Sequence, residues 1–287
     1  PESSTSLDAK RVLGALDDLT VQVWNVGEPV HYLSERFGIN FDRVNVERAS
    51  DLAGLADLAA IPERPESFWF NPGLQQQLDA AFTTLGPLVA ALNAHRSELE
   101  AAYTEQALSV PLDEINQRVQ ANGGLGRFNK QAREDRKTLK AVSVRGKVDR
   151  RLVELLPQAA AWQHADRALH AAEPYFAPVT GSYYQGAGTD FGRLARALEA
   201  ARQAVALARD ELNPQALASQ LGASSAPDAG VPMRGRHVQD FVAFWNGQVG
   251  MVLGGETTKM LSRVPLRDLH TWLVAAASTL RTQLVDW

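Results

Sequence analysis

The sequence contains no cysteine, which removes disulfides, thiolate metal sites and cysteine nucleophiles from its chemistry. It also has no run of 18 or more apolar residues, so no membrane-crossing helix is expected and no membrane partner is assigned. A phosphate-cradling Gly-x-x-x-x-Gly-Lys-Ser/Thr loop is missing. Its Gly146-Lys147 pair is followed by Val148 and has no leading glycine. Gly123-Gly124-Leu125-Gly126 follows no strand pattern, and a hinge between helices explains it better than dinucleotide binding. The six histidines are scattered; His164 and His170 lie six positions apart, on different faces of one predicted helix, and no His-Glu-x-x-His pair occurs. Ser182 and Thr189 have no histidine base at a telling spacing. No catalytic residue, metal site or cofactor is therefore assigned. The chain starts at Pro1 with no basic-then-apolar leader and stops at Trp287 inside a helical pattern, so a segment of a longer protein is expected.

What the sequence has is helix. Of 287 residues, 43 are alanine, and leucine is the main large apolar residue. Val12, Leu16, Leu19, Val23, Val26, Val30, Leu33 and Phe37 follow an unbroken alternation of four- and three-residue steps. That period keeps one seam facing a partner helix, as in a coiled coil. Gly38 suits a left-handed cap at its end, while Pro29, close behind Gly27, predicts a kink or break. A second helix should start at Asn71-Pro72 and carry Leu74, Leu78, Ala81, Leu85, Leu88, Leu92, His95, Leu99 and Ala102 over roughly 45 Å, interrupted at Gly86-Pro87. Antiparallel packing of these two long helices is expected. On the seam, His95 reads as a packed residue that specifies register, with a pH-sensitive or ligand-contacting role as the alternative.

Further helices are predicted over about 112–141, broken at the glycine run, and over about 147–176. Another follows the Thr189-Asp190 cap, and two lie in the last 50 residues. No stretch alternates with period two, so no sheet is predicted. The expected fold is all-α: an elongated bundle of long antiparallel helices with coiled-coil pairing. Its expected organisation is a stalk over 1–222 containing a basic helix pair at 127–151, a mobile Ser/Pro/Gly/Ala-rich linker at 223–235, and a helical pair at 236–287 packing back on the stalk.

The formal net charge is −4, but it is unevenly spread. Arg127, Lys130, Arg133, Arg136, Lys137, Lys140, Arg145, Lys147, Arg150 and Arg151 face only Glu134, Asp135 and Asp149, giving this segment +7 and the remainder −11. Arg133, Arg136, Lys137 and Lys140 recur at helical spacing and form one stripe that attracts phosphate through counterion release. Phe128 is the lone aromatic there, so sequence-specific stacking on bases is not expected. The competing explanation is a solvated helix pair balanced by acidic neighbours in a larger protein.

Several segments together resemble a known architecture. They are the heptad helix, the Leu/Ala-rich helix, the Ile-Pro-Glu-Arg-Pro turn at 61–65 with Trp69, the long helix, the basic Gly-Arg-Phe-Asn-Lys-Gln-Ala-Arg-Glu-Asp-Arg-Lys-Thr-Leu-Lys of 126–140, and the Gly-Ser-Tyr-Tyr-Gln-Gly-Ala-Gly-Thr-Asp-Phe of 181–191. With the closing Trp-containing helix pair, this resembles the helical coiled-coil insertion of large bacterial superfamily-one helicase-like proteins, several of them associated with antiphage defence or nucleic-acid processing. The resemblance spans about residues 10–287, and Tyr184-x-Gly186-x-x-Thr189-Asp190-Phe191 is its most distinctive part. It implies a cytoplasmic, ATP-hydrolysing parent whose motor motifs have no counterpart in this chain. The expected role is a non-catalytic arm touching a DNA or RNA backbone or the parent's motor domains. A second expectation is an interaction scaffold or homo-oligomer that uses Phe68, Trp69 and Trp287; a third is an enzyme assembled around His164 or His170.

Overall fold

The computed structural model describes residues 4–125, 130–226 and 228–285. In chain order the helices are α1 (Ser4–Phe37), α2 (Val46–Leu58), α3 (Gln75–Leu99), α4 (Leu112–Ala121), α5 (Lys130–Val142), α6 (Arg150–Glu154), α7 (Leu156–Thr180), α8 (Phe191–Ala208), α9 (Pro214–Leu221), α10 (Gly230–Phe244), α11 (Gly250–Leu253), α12 (Gly255–Leu261) and α13 (Leu266–Val285). Among the described residues there is no strand, only one isolated bridge between Tyr103 and Ser143. The protein is all-α. It forms two compact units, and the second, residues 73–194, is inserted in sequence into the first, residues 1–72 and 195–287. The division thus falls elsewhere than the expected boundaries at 222 and 236.

In the first unit, the seam residues Leu16, Leu19, Val23, Val26, Val30, Leu33 and Phe37 are all buried. Their covers are α13, α10, α2 and α9 in turn rather than one partner helix. Trp24 meets His270 while Asp17 meets Arg281, so α13 runs antiparallel to α1. Gly38 adopts φ +69°, and Ile39 N–H donates to the Ser34 carbonyl at 2.8 Å, closing α1 as a Schellman turn. α2 and α10 cross through small residues: a Cβ on Gly235 would lie 2.4 Å from that of Ala56. Arg48 of α2 is 7% exposed; it pairs with Asp51 at 3.1 Å and donates to the Leu207 and Ala208 carbonyls at the end of α8.

The second unit is built on α3 and α7, which pack along their lengths. Its core joins Leu85, Val89, Leu92 and Leu99 of α3 to Leu156, Trp162 and Leu169 of α7, with Leu112 and Ile115 of α4 and Leu139 and Val142 of α5. His95 is half-buried on this seam. Asp149 caps α6 by accepting from Leu152 N–H at 2.9 Å, and Asp190 caps α8 by accepting from Arg193 N–H at 3.0 Å.

Four expectations need correction. α1 continues through Pro29 without the expected break, and α3 runs uninterrupted through Pro87. Each proline removes one backbone bond, but Val26, Val30 and Leu33 beside Pro29, and Leu85 and Val89 beside Pro87, are buried, and that packing holds the helix across the gap. Of the stretch expected to be mobile, the described residues 223–226 and 228–235 are anchored rather than free. Ala223 N–H donates to the Pro65 carbonyl at 2.7 Å, Arg64 to Ser225 O at 2.7 Å and the Tyr32 hydroxyl to Asp228 at 2.7 Å, and α10 begins within the stretch, at Gly230. Trp69 is fully buried, because the 3-10 turn Ser67–Phe70 aims it and Phe70 inward next to α9. Phe68 remains exposed, and Trp287 lies outside the described residues.

Candidate nucleic-acid interface

α5 has two opposed faces. Asp135, Leu139 and Val142 point inward and are buried. At 100° per residue, Lys130, Arg133, Arg136, Lys137 and Lys140 fall within an arc of roughly 120° on the other side, and all five are exposed. The inward face is anchored at both ends. Arg118 of α4 makes a two-pronged contact with Asp135, Nε at 3.0 Å and Nη2 at 2.8 Å, and Gln131, one turn earlier on α5 itself, also donates to that carboxylate at 3.2 Å. The hydrogen bond to Asp135 pushes the Arg118 pKa still further up, fixing its charge. At the other end, Thr104 N–H donates to Val142 O at 2.8 Å and Val144 N–H to Ala102 O at 3.0 Å. The outward face is therefore presented by a helix with little freedom to rotate.

The basic residues differ in how they are used. Arg127 lies outside the described residues. Arg150 donates to Glu154 at 2.7 Å and is spent locally, whereas Arg145 sits 3.8 Å from Asp149, in a looser ion pair without a hydrogen bond. Among the described residues no carboxylate lies within ion-pair distance of Lys130, Arg133, Arg136, Lys137, Lys140, Lys147 or Arg151. The five on α5 share one face. Lys147 is in the turn before α6, while Arg145 and Arg151 line a shallow depression with Ser143 and Asp149.

This crowding costs the isolated helix stability. Lys130–Arg133, Arg133–Arg136, Arg133–Lys137, Arg136–Lys140 and Lys137–Lys140 are like-charge neighbours three or four residues apart, each unfavourable by about 0.2–0.5 kcal/mol. Lys130 and Arg133 also stand at the positive end of the helix dipole, with no acidic residue in the first turn. The arrangement is one that an external polyanion would stabilise.

The histidines offer no comparable cluster. His164 Nε2 lies 2.7 Å from Asp113, which also faces Arg167 at 3.8 Å, and His170 stands beside Asp166; both imidazoles are exposed. Among the described residues no group of three or more His, Asp or Glu is placed to hold a metal ion, and no helix is long and apolar enough to cross a membrane. The spacing of the stripe was legible in the sequence, whereas the Arg118–Asp135 brace was not, because its partners are separated by the glycine turn.

No protein-family model, curated protein or solved structure matches the chain. Its functional reading therefore rests on its own chemistry.

Proposed function

We propose that the chain is a non-catalytic helical module that holds a nucleic-acid backbone against the outward face of α5, as an accessory arm of a larger helicase-like DNA-processing or defence protein. One observation carries this reading: Lys130, Arg133, Arg136, Lys137 and Lys140 are exposed on one side of a braced helix, with no carboxylate partner among the described residues. Phosphates spaced along a strand supply the missing counter-charge, and release of condensed cations drives the association. The described face carries no aromatic side chain, so contact is to phosphate and sugar rather than to bases.

The test is a titration with single- and double-stranded DNA, and with RNA of the same sequence, at 50 and 200 mM salt. Five phosphate contacts on a duplex lower affinity about 500-fold between these salts. Changing Arg133, Arg136, Lys137 and Lys140 to Glu abolishes binding at the lower salt. Absence of binding at low salt, or equal binding by the variant, rejects the proposal.

A second function, a protein-interaction scaffold or oligomerising coiled coil without a nucleic-acid role, is favoured by a different observation in the first unit. Val21 of α1 and Trp272 and Val274 of α13 are large apolar side chains left exposed on its helices. Light scattering that reports a dimer of this chain, together with no nucleic-acid affinity, would select it.

A further inference from the structure

The first unit has an open, groove-like cavity of about 420 Å³ between α1, α13 and Phe41, a volume in the range of small-molecule sites. Buried Val23 and Leu266, with half-buried Phe41, supply its apolar lining. Trp24 and His270 form an aromatic wall, their rings 5.3 Å apart and tilted by 43°. Trp24 is 70% exposed on a helix whose opposite side is fully packed, an expensive position for an indole with nothing to cover it.

Gly27 is the informative residue. It lies in the interior of α1, where glycine weakens a helix relative to alanine. Its backbone φ is not in the left-handed region, and a Cβ built there meets nothing within 4 Å. Neither turn geometry nor a close helix crossing requires glycine here. What its missing side chain leaves is open space in the cavity, one turn beyond Val23 and Trp24.

Charge at the mouth narrows the ligand. Glu28 lines the cavity, but Arg234 holds its carboxylate at 3.0 Å and offsets it. Arg267 is 3.8 Å from Asp42, too long for a hydrogen bond, and both side chains are largely exposed, so the guanidinium is available to a better acceptor. His270, on the same wall, has a ring N–H to offer as a second donor. We propose that this cavity binds a small planar aromatic ligand bearing one anionic group, its ring against Trp24 and Phe41 and its anion at Arg267 and His270. The site is independent of the basic face of α5.

The full chain should be titrated by calorimetry with 2-naphthoate, and with 2-naphthamide as an uncharged analogue of the same shape. Saturable one-to-one binding of 2-naphthoate is expected, with 2-naphthamide at least fivefold weaker. Gly27→Leu fills the space and should weaken binding at least tenfold while the thermal midpoint stays at or above that of the parent chain. Trp24→Ala and Arg267→Gln should each weaken 2-naphthoate at least threefold, and Arg267→Gln should leave 2-naphthamide unchanged. No saturable binding of either compound, or full affinity in Gly27→Leu, overturns the site. Equal affinity for acid and amide overturns the anionic assignment. A chain that is dimeric by light scattering and becomes monomeric with Trp24→Ala would show the cavity to be an interface between copies, and the proposal fails.

Discussion

Two arginine-bearing regions put the same side chain to opposite uses. In the first unit, Arg48 is buried; it contacts Asp51, faces Glu211 at 3.9 Å and donates to the last carbonyls of α8, while Arg209 closes on Asp51 at 2.8 Å. Each group there has a partner within the fold. On α5 in the second unit, Arg133 and Arg136 stand in solvent beside Lys137 and Lys140, with no carboxylate in reach among the described residues. The identity of the side chain does not separate the two cases. What separates them is whether the counter-charge is already inside the protein, and only the second arrangement leaves an electrostatic term for another molecule to satisfy.

The contrast can be broken from either side, and the largest effect should come from the buried network. Arg48→Met leaves the Leu207 and Ala208 carbonyls unpaired and is expected to cost about 3 kcal/mol in denaturant unfolding, with nucleic-acid affinity in the folded protein unchanged. Asp135→Ala removes the brace of α5 and should cost about 2 kcal/mol. Because the outward charges remain, affinity at low salt should stay within about threefold. Changing Arg133, Arg136, Lys137 and Lys140 together to Gln should act in reverse, raising stability by about 1 kcal/mol as like-charge neighbours disappear and lowering the slope of log affinity against log salt by about 3.6. A destabilised Gln variant would mean that these residues serve the fold after all.

The smallest expected effect concerns acid. The Tyr32 hydroxyl and Gly230 N–H donate to Asp228, and the Tyr32 bond leads in holding its pKa below the usual carboxylate value. A depressed carboxylate stabilises the fold fully above its unfolded pKa, near 3.9, and that contribution disappears as pH falls through the lower folded value. Thermal midpoints measured from pH 7 to pH 3 should therefore fall further for the parent chain than for Asp228→Asn. Parallel profiles would remove Asp228 from the acid response.

Much of the helical pattern was legible because it depends on near neighbours. The α1 seam, the Gly38 cap and the Asp190 cap each follow from periodicity or local backbone chemistry, and all are present. Features set by distant partners were not legible. The carbonyls satisfied by Arg48 lie 159 and 160 positions away, and the packing that carries α1 past Pro29 comes from α10 and α13. Trp69 looked exposed in a turn rich in proline, yet it is enclosed near α9, more than 140 residues later. In the sequence Gly27 is only a neighbour of Pro29; its significance as empty volume requires α13 to be in place. For the candidate interface, the sequence showed which residues are basic and in phase, while only the fold showed which of them are already neutralised.

The insertion of residues 73–194 into the first unit has a consequence for biosynthesis. α1 is made before the helices that cover its seam, and two of these, α10 and α13, begin only at Gly230 and Leu266. At about 5–20 residues per second, the seam waits roughly 10–40 s for the first of them. During that interval the nascent chain exposes Leu16 through Phe37, while the inserted unit, whose partners are closer in sequence, has time to close. The ribosome-bound intermediate would thus have residues 73–194 folded while α1 is still open, and α1 is where a chaperone would find it.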